Sequence, residues 1–195
     1  MDKVLIKGNG DGLVRVEQEP IHEKVAIENF LGIPLPNKIV LPDGGFVLLD
    51  SDRLGERVLE QKPFFLIERA VGIGTDYVLA VAAITEKHCA GHFPGRPVVP
   101  LIRMCEAAAQ AGVIVVALSC GRDHVPIACG SASSKALTRK FIEPPVTLLI
   151  EARKVDERFG AFFIVDSKMY AEGIGVAQLK GIEYLIPPRS RISST

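Results

Sequence analysis

One segment, PLIRMCEAAAQAGVIVVALS (100–119), constrains the fold more than any other part of the chain. It opens with proline, which is well tolerated at the first position of a helix. Its apolar residues would occupy almost the whole circumference of that helix, a pattern typical of a helix buried on all sides. The sequence therefore predicts one long buried helix, around which the rest of the chain must pack.

The segments on either side of this helix have the composition of strands, with turn residues between them. They are FFLIERAVGI (64–73), TDYVLAVAAI (75–84), PIACGSASSKAL (126–137), VTLLIEARKV (146–155), GAFFIVDSKMY (160–170) and GVAQLKGIEYLI (175–186). Short strands separated by turns favour an antiparallel sheet. A sheet wrapped around one buried helix is an α+β architecture.

The first fifty residues have a different character. KVLIK (3–7) and LVRVE (13–17) indicate short strands, and PIHEKVAIENFLG (20–32) indicates a helix that starts at Pro and ends at Gly. KIVLPDGGFVLLD (38–50) predicts two strands around a Pro-Asp-Gly-Gly turn. A short helix is expected over 51–61. We expect residues 1–50 to be an extension of unknown role and 51–195 to form the main domain.

Composition excludes several classes of function. Formal net charge is zero, so no overall basic field attracts nucleic acid. The longest apolar run, VIVVAL (113–118), is too short to span a bilayer, and MDKVLIKGNGDG (1–12) lacks a secretion signal. Four cysteines match no zinc pattern, and a metal cluster on His88, Cys89 and His92 is disfavoured. We expect no membrane insertion, no metal and a cytoplasmic protein with reduced thiols.

Polar residues follow one stripe of the predicted helix near its N-terminus. Arg103, Glu106 and Gln110 have the i, i+3, i+4 spacing of one helix face. Upstream, His92 lies in a loop stiffened by prolines. A histidine, a carboxylate and the free N–H groups of a helix N-terminus suit proton abstraction beside a carbonyl. The alternative is that Glu106 is a structural carboxylate paired with Arg103.

GHFPGRPVVP (91–100) followed by EAAAQ (106–110) resembles the signature of the β-hydroxyacyl-acyl carrier protein dehydratases of the FabZ type, with FabA-type enzymes more distant. RVLEQKPFFLIERAV (57–71) and TRKFIEPPV (138–146) are also similar to that family. The resemblance extends over about residues 51–187 and leaves out the first fifty.

This resemblance implies a hot-dog fold, in which an antiparallel β-sheet wraps around a long central α-helix. It also implies a homodimer, often assembled as a trimer of dimers, with the histidine of one protomer facing the glutamate of the other. The implied reaction dehydrates (3R)-3-hydroxyacyl thioesters to trans-2-enoyl thioesters in fatty acid or related lipid biosynthesis. His92 would take the C2 proton, Glu106 would assist departure of the hydroxyl, and the Leu101 backbone N–H would polarise the carbonyl.

No cofactor is implied, because the substrate is carried on the phosphopantetheine arm of acyl carrier protein. That partner is acidic, and the candidate docking charges are Arg96, Arg139 and Lys140. The aromatic Phe141 corresponds to a residue of the family's acyl tunnel, with ordinary core packing as the alternative. The remaining residues expected in or beside the tunnel are Phe93, Pro97, Arg103 and Gln110.

Two residues depart from the family pattern. Leu101 replaces a usual glycine, adding bulk and restricting the backbone, and Arg103 replaces an apolar residue. An arginine paired with Glu106 would favour its ionised form and impair proton donation, whereas an arginine directed elsewhere would leave the chemistry intact. Two alternatives to a dehydratase therefore stay open: a hot-dog thioesterase, and a non-catalytic module that binds an acyl group or a partner.

Overall fold

The computed structural model describes residues 6–9, 13–16, 20–55, 65–91, 95–120, 126–138 and 140–187. Within these ranges the strands are β1 (Ile6–Asn9), β2 (Leu13–Val16), β3 (Phe46–Leu49), β4 (Ile67–Ile73), β5 (Tyr77–Ile84), β6 (Ile127–Ala136), β7 (Val146–Arg158), β8 (Phe162–Ala171) and β9 (Ile174–Leu185). The helices are α1 (Pro20–Leu31), α2 (Ser51–Gly55), α3 (Glu86–Cys89) and α4 (Leu101–Cys120).

The strands form one antiparallel sheet in the order β1-β2-β3-β4-β5-β7-β8-β9-β6. The side chains along a strand alternate between the two faces of the sheet. On β7 this alternation directs Leu148 and Ile150 into the buried cluster around α4, while Leu149 joins a second cluster on the outer face. The sheet therefore has two covered faces, and α4 lies against the inner one.

Small residues let α4 approach the sheet closely. Ala107, Ala108 and Ala111 are fully buried, and Gly112 lies directly against the phenol ring of Tyr184 on β9. The Tyr184 hydroxyl donates a 2.8 Å hydrogen bond to the carbonyl oxygen of Ala109. By length and composition α4 could also span a membrane, but most of it is buried here as the core helix.

The outer face is covered in part by α1. Ile27 and Leu31 of this helix pack in one cluster with Val71 and Leu79 of the sheet. The Arg69 guanidinium on β4 donates a 2.7 Å hydrogen bond to the carbonyl oxygen of Phe30, so it caps the last turn of α1. The described part of the first fifty residues thus shares a core with the sheet. Whether 1–50 and 51–195 are separate folding units stays a prediction.

The structure confirms the long helix and the six strands predicted around it, with ends shifted by a few residues. The predicted helix over 51–61 begins at Ser51, and its part beyond residue 55 lies outside the described residues. The short helix α3 was not predicted from the sequence. Its four residues are too few to show a helical periodicity.

The predicted strand at the start of 38–50 is wrong. Residues 38–41 form a turn and irregular chain, while β3 accounts for the second predicted strand. Both edges of β3 are already occupied, by β2 and by β4, so no edge is left to pair with this segment. Ile39 instead buries its side chain in the outer cluster, and Val40 points into solvent.

Candidate functional site

Glu106 lies on the face of α4 that carries the predicted polar stripe, and its side chain is half-buried. Its Oε1 atom accepts a 3.0 Å hydrogen bond from Nε2 of Gln110, one helical turn further on. This is the i, i+4 contact that the sequence spacing predicted. This hydrogen bond restrains the Glu106 carboxylate on the polar stripe of α4.

Gln110 is itself fixed from the opposite side. It is only 1% exposed, and its Oε1 atom accepts a 2.7 Å hydrogen bond from the backbone N–H of Leu66. Because a backbone N–H can only donate, the amide oxygen must face Leu66 and the amide NH₂ must face Glu106. Leu66, Gln110 and Glu106 therefore form a directional chain of hydrogen bonds that ends at the carboxylate.

Arg103 does not pair with Glu106. Its Nε atom donates a 3.0 Å hydrogen bond to the backbone carbonyl oxygen of His88, at the end of α3. Arg103 and Glu106 are both among the described residues, and no ion pair joins them. The pKa of the Cys89 thiol, next to His88, lies above its ordinary value because the thiol is buried. The nearby Arg103 guanidinium opposes part of this increase.

His88 is also held locally. Its Nδ1 atom accepts a 3.0 Å hydrogen bond from the backbone N–H of Thr85, which closes the start of α3. The His88 carbonyl that Arg103 binds therefore belongs to a short but well-connected helix. Arg103 joins this helix to the first turn of α4 across the intervening loop.

The loop between α3 and α4 carries the predicted histidine. His92 and Phe93 lie outside the described residues. On either side of them, Gly91 and Gly95 have φ values of 83° and 78°, which glycine adopts readily. The far end of the loop is anchored where the Val99 N–H donates a 2.8 Å hydrogen bond to the Ile142 carbonyl. Pro97, next to this anchored end, is exposed to solvent.

Leu101 is the first residue of α4. The N–H group of a first helical residue has no acceptor inside its own helix. Leu101 is not among the non-glycine residues with positive φ, so leucine meets no backbone conflict at this position. The departure from the usual glycine adds a side chain here without straining the chain.

Two of the predicted docking residues, Arg96 and Lys140, lie at the segment that follows β6. Arg96 forms an exposed 2.9 Å ion pair with Glu143, and its guanidinium lies 5.0 Å from the centre of the Phe141 ring. Phe141 is 63% exposed, so ordinary core packing is excluded for it in a single chain. Lys140 is exposed, and Arg139 lies outside the described residues.

The sequence did not identify the two backbone groups that orient these side chains. The Leu66 N–H is 44 residues from Gln110, and the His88 carbonyl is 15 residues from Arg103. Every residue has such backbone groups, so no residue type marks them in advance. The apolar neighbours of Gln110 are a partial signal, because a buried amide needs partners.

No protein-family model matches the chain. A 3-hydroxyacyl-[acyl-carrier-protein] dehydratase FabZ of Syntrophotalea carbinolica is 31% identical over 140 residues, covering 66% of this chain and 88% of that relative. FabZ of Rickettsia akari is 30% identical over 142 residues, covering 69% and 98%. The bifunctional enzyme LpxC/FabZ of Porphyromonas gingivalis is 29% identical over 112 residues, which are 56% of this chain and 24% of that protein.

Two solved structures share the fold. The dehydratase heterocomplex ApeI:P of Xenorhabdus doucetiae has a TM-score of 0.54 at 12% identity, covering 73% of this chain and 97% of the other. A putative thioesterase of Silicibacter sp. TM1040 also has a TM-score of 0.54, at 20% identity, covering 72% and 93%. At these identities the likeness concerns the fold alone. The architecture is the hot-dog fold that the sequence resemblance implied.

Proposed function

The chain belongs to the FabZ family of dehydratases, and from this membership we propose that it converts (3R)-3-hydroxyacyl-acyl carrier protein to the trans-2-enoyl thioester. The observation that carries the proposal is the support given to Glu106. A general acid or base must be held in place to act on a reacting group, and Gln110 and Leu66 hold this carboxylate. The arginine that could have favoured its ionised form binds the His88 carbonyl instead.

In the proposed reaction His92 takes the proton from C2, and the electrons of that C–H bond form the new double bond. The C3–O bond breaks, and Glu106 gives its proton to the departing hydroxyl, which leaves as water. The N–H of Leu101, at the positive end of α4, stabilises charge on the thioester oxygen while the C2 proton is removed. Elimination moves no net electrons, so the proposal includes no redox cofactor.

Arg103 fits this scheme as a positioning residue. Its bond to the His88 carbonyl connects the helix before the His92 loop to the helix that carries Glu106. The Val99–Ile142 hydrogen bond anchors the other end of that loop. Both ends are therefore tied to rigid parts of the chain, an arrangement suited to a base that must keep its place.

A homodimer would complete the site. In a single chain β6 is the last strand of the sheet, so one of its edges has no partner strand among those described. An unpaired edge of ten residues invites pairing with another chain. Ile102, on the adjacent part of α4, is 61% exposed and apolar. Two copies joined along this side would form two equivalent sites, and three such dimers could assemble further.

Acyl carrier protein is the proposed partner, acting from the cytoplasm in fatty acid or related lipid biosynthesis. Among the candidate docking charges, Arg96 is already engaged by Glu143, whereas Lys140 is exposed. We expect Lys140, with Arg139, to contribute more than Arg96 to attracting an acidic carrier. Phe141, which follows Lys140 in the sequence, is exposed and could meet an entering acyl chain.

Product identity tests the proposal. Purified protein is incubated with 3-hydroxybutyryl-acyl carrier protein, and the mixture is analysed for enoyl thioester and for free carrier thiol. The proposal predicts enoyl thioester with the thioester bond intact. Release of thiol would instead identify a thioesterase. Binding of the acyl carrier without either product would identify a non-catalytic acyl-binding module.

A further inference from the structure

A half-open slot lies on the outer face of the sheet, away from α4. Its volume is about 400 Å³, within the range of small-molecule sites, which is about 300–1,000 Å³. One wall is the segment after α1, with Leu35 and Pro36, and the other is formed by Pro145, Val146 and Tyr170. Most of the lining is aliphatic, and Tyr170 supplies an aromatic surface.

The slot is separate from the proposed active site. Thr147 and Leu149 line it, while their neighbours Leu148 and Ile150 face α4 on the other side of the same strand. A ligand in the slot is therefore separated from Glu106 by the thickness of the sheet. The first wall also lies outside the part of the chain that resembles FabZ.

The wall after α1 is held in position by hydrogen bonds. The Leu35 N–H donates a 2.7 Å bond to Glu28 Oε1, and the Ile39 N–H donates a 2.9 Å bond to the Pro36 carbonyl. Leu35 and Ile39 are buried in the outer cluster. Because the backbone on both sides of Pro36 is fixed, the slot is a formed feature of the fold.

Two lysines extend over the ring of Tyr170, one of the residues that line the slot. Lys38 Nζ lies 5.3 Å and Lys168 Nζ 5.4 Å from the centre of the Tyr170 ring. A Cβ atom placed on Gly175 would lie 3.8 Å from Lys38 Nζ and 3.7 Å from Lys168 Cε, so both side chains reach the same point. Two like charges held together favour an anion between them.

No carboxylate satisfies these two lysines in the described part of the chain. Neither ammonium group forms an ion pair there. Glu151 lies opposite Lys168 across the β7–β8 pair, but its two oxygens accept hydrogen bonds from the hydroxyls of Tyr77 and Tyr170, at 3.1 and 3.0 Å. The Glu151 carboxylate is thus engaged by two phenols, and the lysines extend over the Tyr170 ring instead.

We propose that this slot binds a small free monocarboxylate with an aliphatic or aromatic tail. The tail lies between the Leu35–Pro36 wall and the Pro145–Val146 wall, where it leaves water. The carboxylate lies at the Tyr170 end, between the ammonium groups of Lys38 and Lys168. An apolar slot with a few convergent polar groups is the general form of such sites.

Among the residues that line the slot, one charge opposes this ligand. Glu172 lines the rim and is exposed to solvent. Its carboxylate repels an incoming anion weakly, since water screens it. Removing the charge of the two lysines should therefore weaken binding of the anion, and removing the charge of Glu172 should strengthen it.

Octanoate is the probe, with octan-1-ol and octylammonium as ligands of equal chain length and different charge. Binding to the full chain is followed by calorimetry and by backbone amide shifts in NMR spectra. We expect octanoate to bind more tightly than the other two, with shifts centred on Leu35, Val146, Leu149 and Gly173. Equal affinities for the three ligands, or shifts confined to Glu106 and Gln110 on the inner face, would overturn the proposal.

Variants locate the site without relying on catalysis. The double substitution Lys38→Ala/Lys168→Ala should weaken octanoate binding about five- to tenfold, whereas Lys180→Ala, on an exposed lysine of β9, should not change it. Glu172→Gln should strengthen binding. Thr147→Trp, at an exposed position of the lining, should fill the slot and abolish binding while thermal unfolding stays normal. Equal losses in the Lys180→Ala protein and the double variant would contradict the proposal, whether or not the chain proves to be a dehydratase.

Discussion

Gln110 Nε2 lies 3.0 Å from Glu106 Oε1, and the orientation of that amide is set by the Leu66 N–H on its other side. The carboxylate proposed as the acid is thus positioned by a residue from outside its own helix. Leu66 precedes β4, so the sheet and the central helix jointly determine where the Glu106 carboxylate points.

Gln110→Met tests the hydrogen-bond chain. Methionine is similar in size but cannot donate to Glu106 or accept well from Leu66. The buried Leu66 N–H loses its partner, so we expect a loss of about 1–3 kcal/mol in the free energy of unfolding. Dehydration should also slow, because Glu106 is no longer held. Urea unfolding and steady-state kinetics measure the two effects. Gln178→Met, at a half-buried glutamine of β9, is the matched control.

Arg103→Met distinguishes two roles for the arginine. If Arg103 positions the His92 loop through the His88 carbonyl, its loss lowers kcat, and Arg103→Lys recovers part of it. If Arg103 instead suppressed Glu106, the methionine variant would be more active than the wild type. We expect lower activity, with about 1–2 kcal/mol of stability lost with the hydrogen bond. An increase in kcat would contradict the structural assignment.

Gly112→Ala tests the packing of the central helix. The added methyl group would overlap the Tyr184 ring, which is itself held by its bond to the Ala109 carbonyl. Overpacking of this kind costs about 1–3 kcal/mol. Gly130→Ala is the comparison, because a Cβ there meets only the flexible end of Glu183, at 3.3 Å. Similar melting temperatures for the two variants would show that α4 tolerates a wider separation from β9.

Alkaline pH should destabilise the fold through the two tyrosines that share Glu151. Burial, and then the nearby Glu151 carboxylate, raise the pKa of Tyr77 and of Tyr170 above the ordinary value of 10.0. Above that pH the unfolded chain loses these protons before the folded chain does, so stability falls as pH rises. Urea unfolding between neutral pH and pH above 10.0 measures the slope. The Tyr77→Phe/Tyr170→Phe variant should show a shallower slope, and an unchanged slope would refute this origin.

Lys140→Glu tests the carrier-docking surface. We expect a higher KM for acyl-carrier-protein substrate, no change for a small pantetheine thioester, and an effect that fades as salt is added. Lys180→Glu, on β9, is the control of equal charge change. Equal changes of KM on both substrates would place Lys140 in the substrate site rather than on a docking surface.

The sequence predicted the helices and strands that are marked by their composition and by the spacing of their apolar residues. The all-round apolar character of 100–119 located α4, and turn-separated apolar segments located β4 to β9. The segment 38–41 has the same strand-like composition, yet it is irregular because β2 and β4 occupy both edges of β3. Pairing between distant segments decides such cases, and local composition does not report it.

Of the contacts around Glu106, the sequence predicted the one between neighbours on α4 but not those with distant backbone groups. Spacing alone placed Gln110 beside Glu106. The same spacing allowed Arg103 to pair with Glu106, and only the structure shows the arginine bound to the His88 carbonyl. The outer slot could not be foreseen, because its two walls come from segments more than a hundred residues apart, around Leu35 and Pro145.

Hydration of crotonyl-acyl carrier protein is measured for the wild type, His92→Ala and Glu106→Gln, each checked to be folded and of the same oligomeric state, to test whether these two residues catalyse the proposed reaction. We expect turnover by the wild type and a loss of about 100-fold or more in each variant, as for removal of a general acid or base. Folded wild-type protein without turnover on short or long acyl chains, or variants as active as the wild type, would contradict this expectation.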